Sequence, residues 1–248
     1  MKNVCFLLFA LLILAPGCKE EKLPEPAPPV PKVKVRESLH QKTSLPAVWD
    51  NPIVFCGLEV GQKSRYLFLT GVNYWDPSDA NIEYHADTLV AEIIAEDSAG
   101  FLVKEYLTAG SAAHPGILFP DSVFHYYLDV EGTLLHVFPA SDANWYFSRL
   151  FFNREMTLNL LDTGSEQTEL TGWKTTLPYC ECYREAWCED CEVLGTTYDR
   201  LNIVIENTGM QVDGPGFTLA YAAAYGLARS TIVSWWTQSG SGWDLLWE

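Results

Sequence analysis

The sequence has few basic residues and few methionines, and it lacks an apolar run long enough to cross a bilayer. Its 248 residues include 16 Lys and Arg against 32 Asp and Glu, a net charge of −16, and only 3 Met. Residues 1–48 hold seven of the bases and four of the acids, so the remainder has nine bases and 28 acids. A surface this acidic repels phosphate backbones and anionic lipid head groups. We therefore exclude nucleic acid as a partner.

Several catalytic and architectural signals are also missing. The chain contains no Gly-x-Ser-x-Gly sequence, which marks the nucleophile of many hydrolases, and no glycine loop that would cradle a phosphate. No internal repeat is visible, and no segment keeps a helical apolar period for more than three turns. These absences argue against a nucleotide-binding protein and against a helical fold.

What the chain does have is aromatic residues and short apolar runs. Trp, Tyr and Phe make up 13% of it, a composition that favours strands over helices. Turn clusters such as Glu131-Gly132 separate the runs at hairpin spacing. We predict one all-β domain over residues 49–248, an antiparallel meander that forms a curved half-barrel, barrel or sandwich. The predicted strands are 53–60, 65–70, 88–96, 101–108, 122–130, 133–138, 145–152, 156–161, 201–206, 217–224 and 230–236.

The N-terminal residues have the pattern of an export signal. Lys2 precedes an apolar run over residues 4–14, which has the length of a secretory h-region and is too short to span a bilayer. The run ends in Ala15-Pro16-Gly17-Cys18, which resembles the bacterial lipobox, although Ala15 stands where that motif prefers Leu. The resemblance implies that residues 1–17 are a lipoprotein signal peptide and that Cys18 carries acyl chains, which would anchor the protein to a membrane.

Residues 18–48 are predicted to form a linker. Lys19-Glu20-Glu21 resembles the export tag that follows the lipidated cysteine in Bacteroidetes-type surface lipoproteins. This resemblance implies a lipid-anchored protein of the outer membrane in the cell envelope and favours exposure at the cell surface. Five prolines in residues 23–31 favour an extended polyproline stalk.

Four cysteines lie close together near residue 185. Cys180, Cys182, Cys188 and Cys191 fall in a strongly acidic stretch, which we predict to be a loop near residues 180–191. An exported protein meets an oxidising compartment, so two disulfides are the favoured interpretation. Pairing Cys180 with Cys191 and Cys182 with Cys188 suits a hairpin, but three connectivities exist. A structural zinc held by four thiolates is the alternative, and no other cofactor is expected. Cys56, in an apolar run, is predicted to be a buried small hydrophobe.

A second motif suggests catalysis. Leu160-Leu161-Asp162-Thr163-Gly164-Ser165 resembles the active-site loop of aspartic proteases, and residues 193–195 resemble the apolar-apolar-Gly element that packs against that loop. The resemblance implies that Asp162 would activate water together with a second carboxylate. However, the chain has no second Asp-Thr-Gly, and the short spacing leaves no room for a substrate-covering flap. The purely structural alternative is that this motif forms an ordinary β-turn.

The histidines and the late tryptophans carry weaker signals. A hairpin centred on residues 131–132 would place His125 and His136 diagonally on one face, which is not a metal site without a third ligand. Acids on predicted strands are interpreted as solvated faces: Glu83, Asp87, Glu92 and Glu105. Trp235, Trp236, Trp243 and Trp247 would either fill the β core or line a glycan or lipid pocket.

The favoured function is therefore non-catalytic. We expect a lipid-anchored binding or envelope-structural lipoprotein whose sheet faces a lipid, glycan or protein partner. The alternatives are a hydrolase centred on Asp162 and a binding module stabilised by zinc.

Overall fold

A computed structural model describes residues 52–73, 81–108, 113–142, 145–160, 168–169, 182–207, 215–234 and 236–246. All of them belong to one structural unit, Val33–Glu248, while the other unit, Met1–Lys32, and the predicted stalk lie outside the described residues. This part of the chain contains a short helix, α1 (Pro52–Phe55), and twelve strands. The strands are β1 (Lys63–Asn73), β2 (Glu83–Asp97), β3 (Gly100–Leu107), β4 (Phe124–Glu131), β5 (Leu134–Pro139), β6 (Met156–Asn159), β7 (Thr168–Glu169), β8 (Cys182–Val193), β9 (Thr196–Asn207), β10 (Pro215–Ala222), β11 (Gly226–Ser234) and β12 (Ser239–Leu245).

The strands form one sheet in which β1 lies beside β12. The order across the sheet is β6-β5-β4-β3-β2-β1-β12-β11-β10-β9-β8-β7. Two meanders, β1–β6 and β8–β12, therefore run outward from a central seam between the first and last strands. Every pairing is antiparallel except that of β7 with β8. The sheet curls into a half-barrel, which confirms the predicted all-β antiparallel class.

Side-chain alternation along the strands explains how the inner face is built. In β3 the buried positions are Phe101, Val103 and Glu105, and the residues between them are only partly buried. Residues that pair across neighbouring strands point to the same side of the sheet. Val103 pairs with Tyr126, and Tyr66 pairs with Leu245, so the buried residues of these strands lie on one face. The inner face thus forms one hydrophobic core that extends over both meanders.

The interior of the curl is filled by residues 147–151, which belong to no strand. The backbone N–H of Leu150 donates to Glu105 on β3 over 3.4 Å, and the Leu150 carbonyl accepts from Ser230 on β11. These two strands lie four positions apart in the sheet, so the segment bridges the inside of the curve. A strand predicted over 145–152 was therefore wrong. Local hydrogen bonds, such as Asn153 N–H to the Ser148 carbonyl at 2.9 Å, satisfy the backbone as turns.

Helix α1 closes one end of the half-barrel, where the sequence predicted a strand over 53–60. The N–H of Cys56 donates to the Pro52 carbonyl over 2.8 Å, and Ala224 N–H donates to the Phe55 carbonyl over 2.9 Å. This contact joins α1 to the β10–β11 hairpin. Gly226 sits there at φ +75°, and a Cβ at this position would come within 2.7 Å of the Cys56 carbonyl oxygen.

Two further details of the predicted meander need correction. The acidic cysteine-rich loop near 180–191 is largely strand β8, which pairs along its length with β9. The β4–β5 hairpin exists, but Glu131 pairs with Leu134, so Gly132 and Thr133 form the turn and the register differs by two residues from the prediction. As a result His136 pairs with Asp129, and His125 lies four residues further along β4 rather than diagonal to it.

We predict that Gly226→Ala destabilises the protein more than Gly132→Ala. Both glycines have positive φ, but nothing lies within 4 Å of a Cβ at Gly132. The left-handed backbone alone costs an alanine about 1 kcal/mol, and the added clash with α1 raises the cost at Gly226 to roughly 2–4 kcal/mol. Chemical denaturation of the two variants measures the difference. Equal losses of unfolding free energy would contradict the close contact between α1 and the hairpin.

Candidate functional site

Exposed apolar side chains concentrate at one place on the surface. Four of the eight exposed large hydrophobic residues in the described ranges are Leu118, Phe119, Val123 and Trp145, of which Trp145 is 74% exposed. We define the aromatic patch as these four residues together with Tyr146. Scattered apolar side chains are normal on a protein surface, but a contiguous group is typical of an interaction site.

The rings of the aromatic patch pack edge to face. The Phe119 ring lies 5.3 Å from that of Trp145 at 88°, and 5.1 Å from that of Tyr146 at 61°. The Trp145 and Tyr146 rings are 5.9 Å apart at 75°. Such pairs add roughly 0.5–1.5 kcal/mol beyond the area they bury. The rings therefore hold two separate stretches of chain together.

The side chain of Arg149 supports the patch from below. Its Nε donates to the Leu118 carbonyl over 3.3 Å, and one Nη donates both to the Phe119 carbonyl and, over 3.2 Å, to the Ser122 carbonyl. The guanidinium also lies 4.4 Å from the centre of the Phe124 ring. One buried cation thus fixes the backbone of the loop that carries three of the five patch residues.

Glu105 on β3 holds Arg149 in place. Its carboxylate, which is fully buried, accepts hydrogen bonds from Ser148 Oγ at 2.8 Å, from the backbone N–H of Arg149 at 2.7 Å and from Arg149 Nη1 at 3.4 Å. Burial raises the pKa of Glu105 and lowers the pKa of Arg149, against the attraction of the two charges. Removing either partner would leave the other charge buried and unpaired, which is costly, so the pair fixes the position of the loop.

The backbone of the patch adopts a conformation that is rare for a large side chain. Phe119 has φ of 51°, in the left-handed region where a bulky residue is an outlier. The Ser122 N–H donates to the Phe119 carbonyl over 3.0 Å, and that same carbonyl accepts from Arg149. Conformations of this kind persist where the surroundings enforce them, and they concentrate at functional sites.

A pair of histidines lies at the base of the same loop. The rings of His114 and His85 have centroids 4.3 Å apart. The Gly116 N–H donates to His114 Nδ1 over 3.0 Å, the Ile117 N–H donates to the His114 carbonyl over 2.8 Å, and the His114 N–H donates to Asp87 over 3.3 Å. His114 thus organises the start of the loop that leads to the patch.

The histidine pair also contacts the aromatic core. Both rings face that of Phe68, at 5.6 Å for His85 and 5.1 Å for His114, and Thr70 Oγ1 shares a 2.7 Å hydrogen bond with His85 Nε2. Burial and the neighbouring charge of His114 lower the pKa of His85 from 6.5, and Glu83 and Asp87 oppose the shift. In the part of the chain that the structure describes, no three or more metal-binding side chains converge, here or elsewhere.

A second buried ion pair lies on the opposite face of the sheet. Arg229 on β11 donates to Asp244 on β12 through Nε at 2.7 Å and through Nη2 at 2.6 Å. Tyr84 on β2 donates its hydroxyl to the same carboxylate over 2.7 Å. Because Asp244 is fully buried and all three groups are engaged with one another, we interpret this fork as structural.

The interior offers little room for a ligand. A cavity of about 60 Å³ lies among residues that include Cys56, Tyr66, Tyr126, Leu150 and Tyr221. Pockets that hold drug-sized ligands measure about 300–1,000 Å³, so this space accommodates a few water molecules at most. The part of the concave face that lines this cavity is therefore packed, and we sought a binding surface on the outside of the domain.

Two of the four clustered cysteines lie close together. Cys188 and Cys191 are at disulfide distance from each other, with Cα atoms 6.0 Å apart, and both are buried. Of the three connectivities that the sequence leaves open, this contact agrees with the one that joins Cys188 to Cys191 and not with the nested one. A disulfide also removes two of the four thiolates that the zinc alternative requires. Cys56 is free and buried, as predicted, and burial raises the pKa of its thiol to about 12.

Several predicted site residues lie outside the described residues. These are Cys18, Asp162 and Cys180, and of Cys182 only the backbone is described, in β8. The Val193-Leu194-Gly195 element is the end of β8 and its turn into β9, with Leu194 and Gly195 at positive φ. Trp243 belongs to the core, whereas Trp236 is exposed; Trp235 and Trp247 fall outside the described residues.

Sequence reasoning missed the two residues on which the patch depends. Glu105 was interpreted as part of a solvated face together with Asp87, and both are buried. A signal was present for Glu105, because it stands in step with the apolar positions Phe101 and Val103 of the same strand. Arg149 likewise interrupts a long aromatic run, but nothing in the sequence linked the two charges.

Comparison with known proteins gives no relative. No protein-family model matches the chain, and no curated protein and no solved structure matches it significantly. Among the described residues, the structure contains no helix of the length and apolarity that a membrane span requires.

We predict that Glu105→Leu costs about 3–5 kcal/mol of unfolding free energy, because it leaves the Arg149 charge buried without its partner. The matched control is Glu92→Leu. Glu92 pairs with Lys63 over 3.1 Å at the surface, where the Lys63 side chain is 52% exposed, and loss of such a pair costs less than about 1 kcal/mol. Urea denaturation of both variants tests this. Equal costs would show that the buried pair does not organise the inner segment.

We predict that stability falls on acidification and that His85 contributes to the fall. The pKa of His85 is lower in the folded protein than the ordinary histidine value of 6.5, so the unfolded chain binds the proton more readily. The contribution is present above about pH 6.5 and is lost as the pH falls below that value. Unfolding free energies at about pH 7.5 and about pH 5.5 should differ less for His85→Gln than for the wild type. His125→Gln, which leaves the His85–His114 contact intact, should keep the wild-type difference; a His85→Gln variant that also keeps it would rule out this contribution.

Proposed function

We propose that this protein is a lipid-anchored, extracytoplasmic binding lipoprotein that has no catalytic role and presents the aromatic patch to a partner. The observation that carries the proposal is the rigid support of an exposed apolar surface. The buried Glu105–Arg149 pair fixes the loop backbone, and Phe119 is held in an unfavourable conformation. Functional residues are commonly carried on loops that a rigid scaffold positions.

The state of the buried reactive groups supports a non-catalytic role. Among the described residues, two buried ion pairs engage Glu105 with Arg149 and Asp244 with Arg229. The free thiol in this part of the chain, Cys56, is held neutral by burial, and a neutral thiol is a poor nucleophile. Catalysis needs an accessible group with a tuned pKa next to a substrate pocket, and the cavity of about 60 Å³ beside Cys56 is too small for a substrate.

The sequence supports the anchor. The short apolar run over residues 4–14, the small residues before Cys18 and the proline-rich stretch that follows form a consistent order of signal, lipidated cysteine and linker. Several acyl chains on one cysteine are sufficient for stable attachment to a membrane.

We predict that Cys18→Ser releases the protein from the membrane. The wild type, purified from cells, should begin at residue 18, carry acyl mass on that residue and partition into the detergent phase of a Triton X-114 separation. The variant should lack the acyl mass and partition into the aqueous phase. Cys56→Ser is the matched control, since this buried thiol lies in the folded domain. A wild-type protein without acyl mass at residue 18 would overturn the proposed anchor.

A further inference from the structure

We propose that the aromatic patch inserts into the interfacial region of a zwitterionic lipid surface and thereby docks the β domain on the membrane. This inference rests on the proposed function, because it names the partner of the same patch. Its chemistry is that of a bilayer interface, where apolar side chains meet hydrocarbon and the polar ends of Trp and Tyr remain hydrated.

The composition of the patch suits a lipid interface. Trp145 is 74% exposed and Leu118 is 57% exposed, and Phe119 and Val123 add a ring and a branched aliphatic side chain. Peripheral membrane segments combine aromatic and aliphatic residues in this way, and their binding strength scales with the apolar area they bury. A sugar-binding surface, in contrast, would have little use for exposed Leu and Val.

Ring geometry also favours lipid over a glycan. A glycan chain stacks best on ring faces that share a plane, whereas the Phe119 and Trp145 rings meet at 88° and the Trp145 and Tyr146 rings at 75°. The patch therefore has no common flat platform. Insertion among lipid head groups requires only that the side chains protrude, and it tolerates any mutual ring angle.

The lack of basic residues in the stretches that carry the patch favours a zwitterionic lipid over an anionic one. Residues 113–124 and 140–148, which carry the patch, contain no Lys or Arg, and they include the exposed residues Asp121 and Asp142. Arg149, which donates hydrogen bonds to the loop of the patch, is buried and bound to Glu105. Anionic head groups would be repelled, since juxtamembrane attraction to them depends on surface Lys and Arg. A zwitterionic surface carries no such penalty.

The tether makes weak insertion sufficient. Residues 19–51, 33 in number, separate the proposed acylated Cys18 from the start of α1. No chain extends more than about 3.6 Å per residue, so a tether of this length cannot exceed roughly 120 Å. Confinement of this kind raises the effective concentration of the patch at the lipid surface, and an apolar contact too weak to bind in free solution becomes populated.

The test uses the full mature protein reconstituted in phosphatidylcholine vesicles that contain brominated acyl chains, which quench indole fluorescence on contact. The chain has 9 Trp, so the signal of Trp145 is read as the difference between the wild type and Trp145→Phe. We expect the wild type to lose at least twofold more fluorescence to the brominated lipid than Trp145→Phe does. Trp236→Phe, which changes another exposed Trp outside the patch, should be quenched like the wild type. Replacing a third of the lipid by phosphatidylglycerol should weaken the quenching of Trp145.

Three outcomes would overturn the inference, and they are distinguishable from failure of the anchor. If the protein floats with the vesicles but Trp145 is not quenched, the anchor holds and the patch does not insert. If a soluble neutral oligosaccharide changes the Trp145 signal and lipid does not, the patch is a glycan site. If sedimentation shows self-association that Trp145→Phe abolishes, a second copy covers the patch. If instead the protein lacks acyl mass, the patch is tested after Cys18 has been coupled chemically to a lipid in the same brominated vesicles, and the quenching of Trp145 is read in the same way.

Discussion

The ion pair between Glu105 and Arg149 is the interaction on which the rest of the structure depends. Residues 147–151 lie inside the curl of the sheet without strand partners, so their backbone N–H groups need other acceptors, and the Glu105 carboxylate accepts from two of them. A buried polar group without a partner costs free energy comparable to a lost hydrogen bond. Arg149 in turn donates hydrogen bonds to three backbone carbonyls of the loop that carries Leu118 and Phe119, and so fixes that loop. One carboxylate thereby joins the sheet, the filled interior and the surface.

This arrangement separates stability from recognition. The core spreads over both meanders, and the cavity of about 60 Å³ within it is too small for a lipid or a glycan, so among the described residues this face stabilises the fold. Three residues of the aromatic patch lie on the connection between β3 and β4, which Arg149 joins to the filled interior of the sheet. A patch fixed in advance loses less conformational entropy on docking than a flexible loop would, which suits a surface of modest area.

Local signals in the sequence predicted most of the strands, but they did not predict the segment inside the curl or the contacts that hold it there. Alternation and turn residues identified β3, β4, β5 and most of the second meander, because a half-buried strand shows period two. They failed at residues 145–152, where an apolar run forms turns whose hydrogen-bond partners are distant in the sequence. They also failed at β8, which was predicted to be a loop because it is rich in acidic residues. Pairing of Glu105 with Arg149 depends on tertiary contact over 44 positions, which no local pattern contains.

The central seam has a consequence for how the chain matures. β1 and β12 pair over Tyr66 to Asn73 with Leu245 to Ser239, so the two meanders are joined through strands that lie far apart in the sequence. Each meander can assemble from neighbouring hairpins, but the join closes a long loop, and contacts of such long separation form slowly. During folding the two meanders stay separate until β12 pairs with β1. Deleting β12 would remove the middle of the sheet and not its edge.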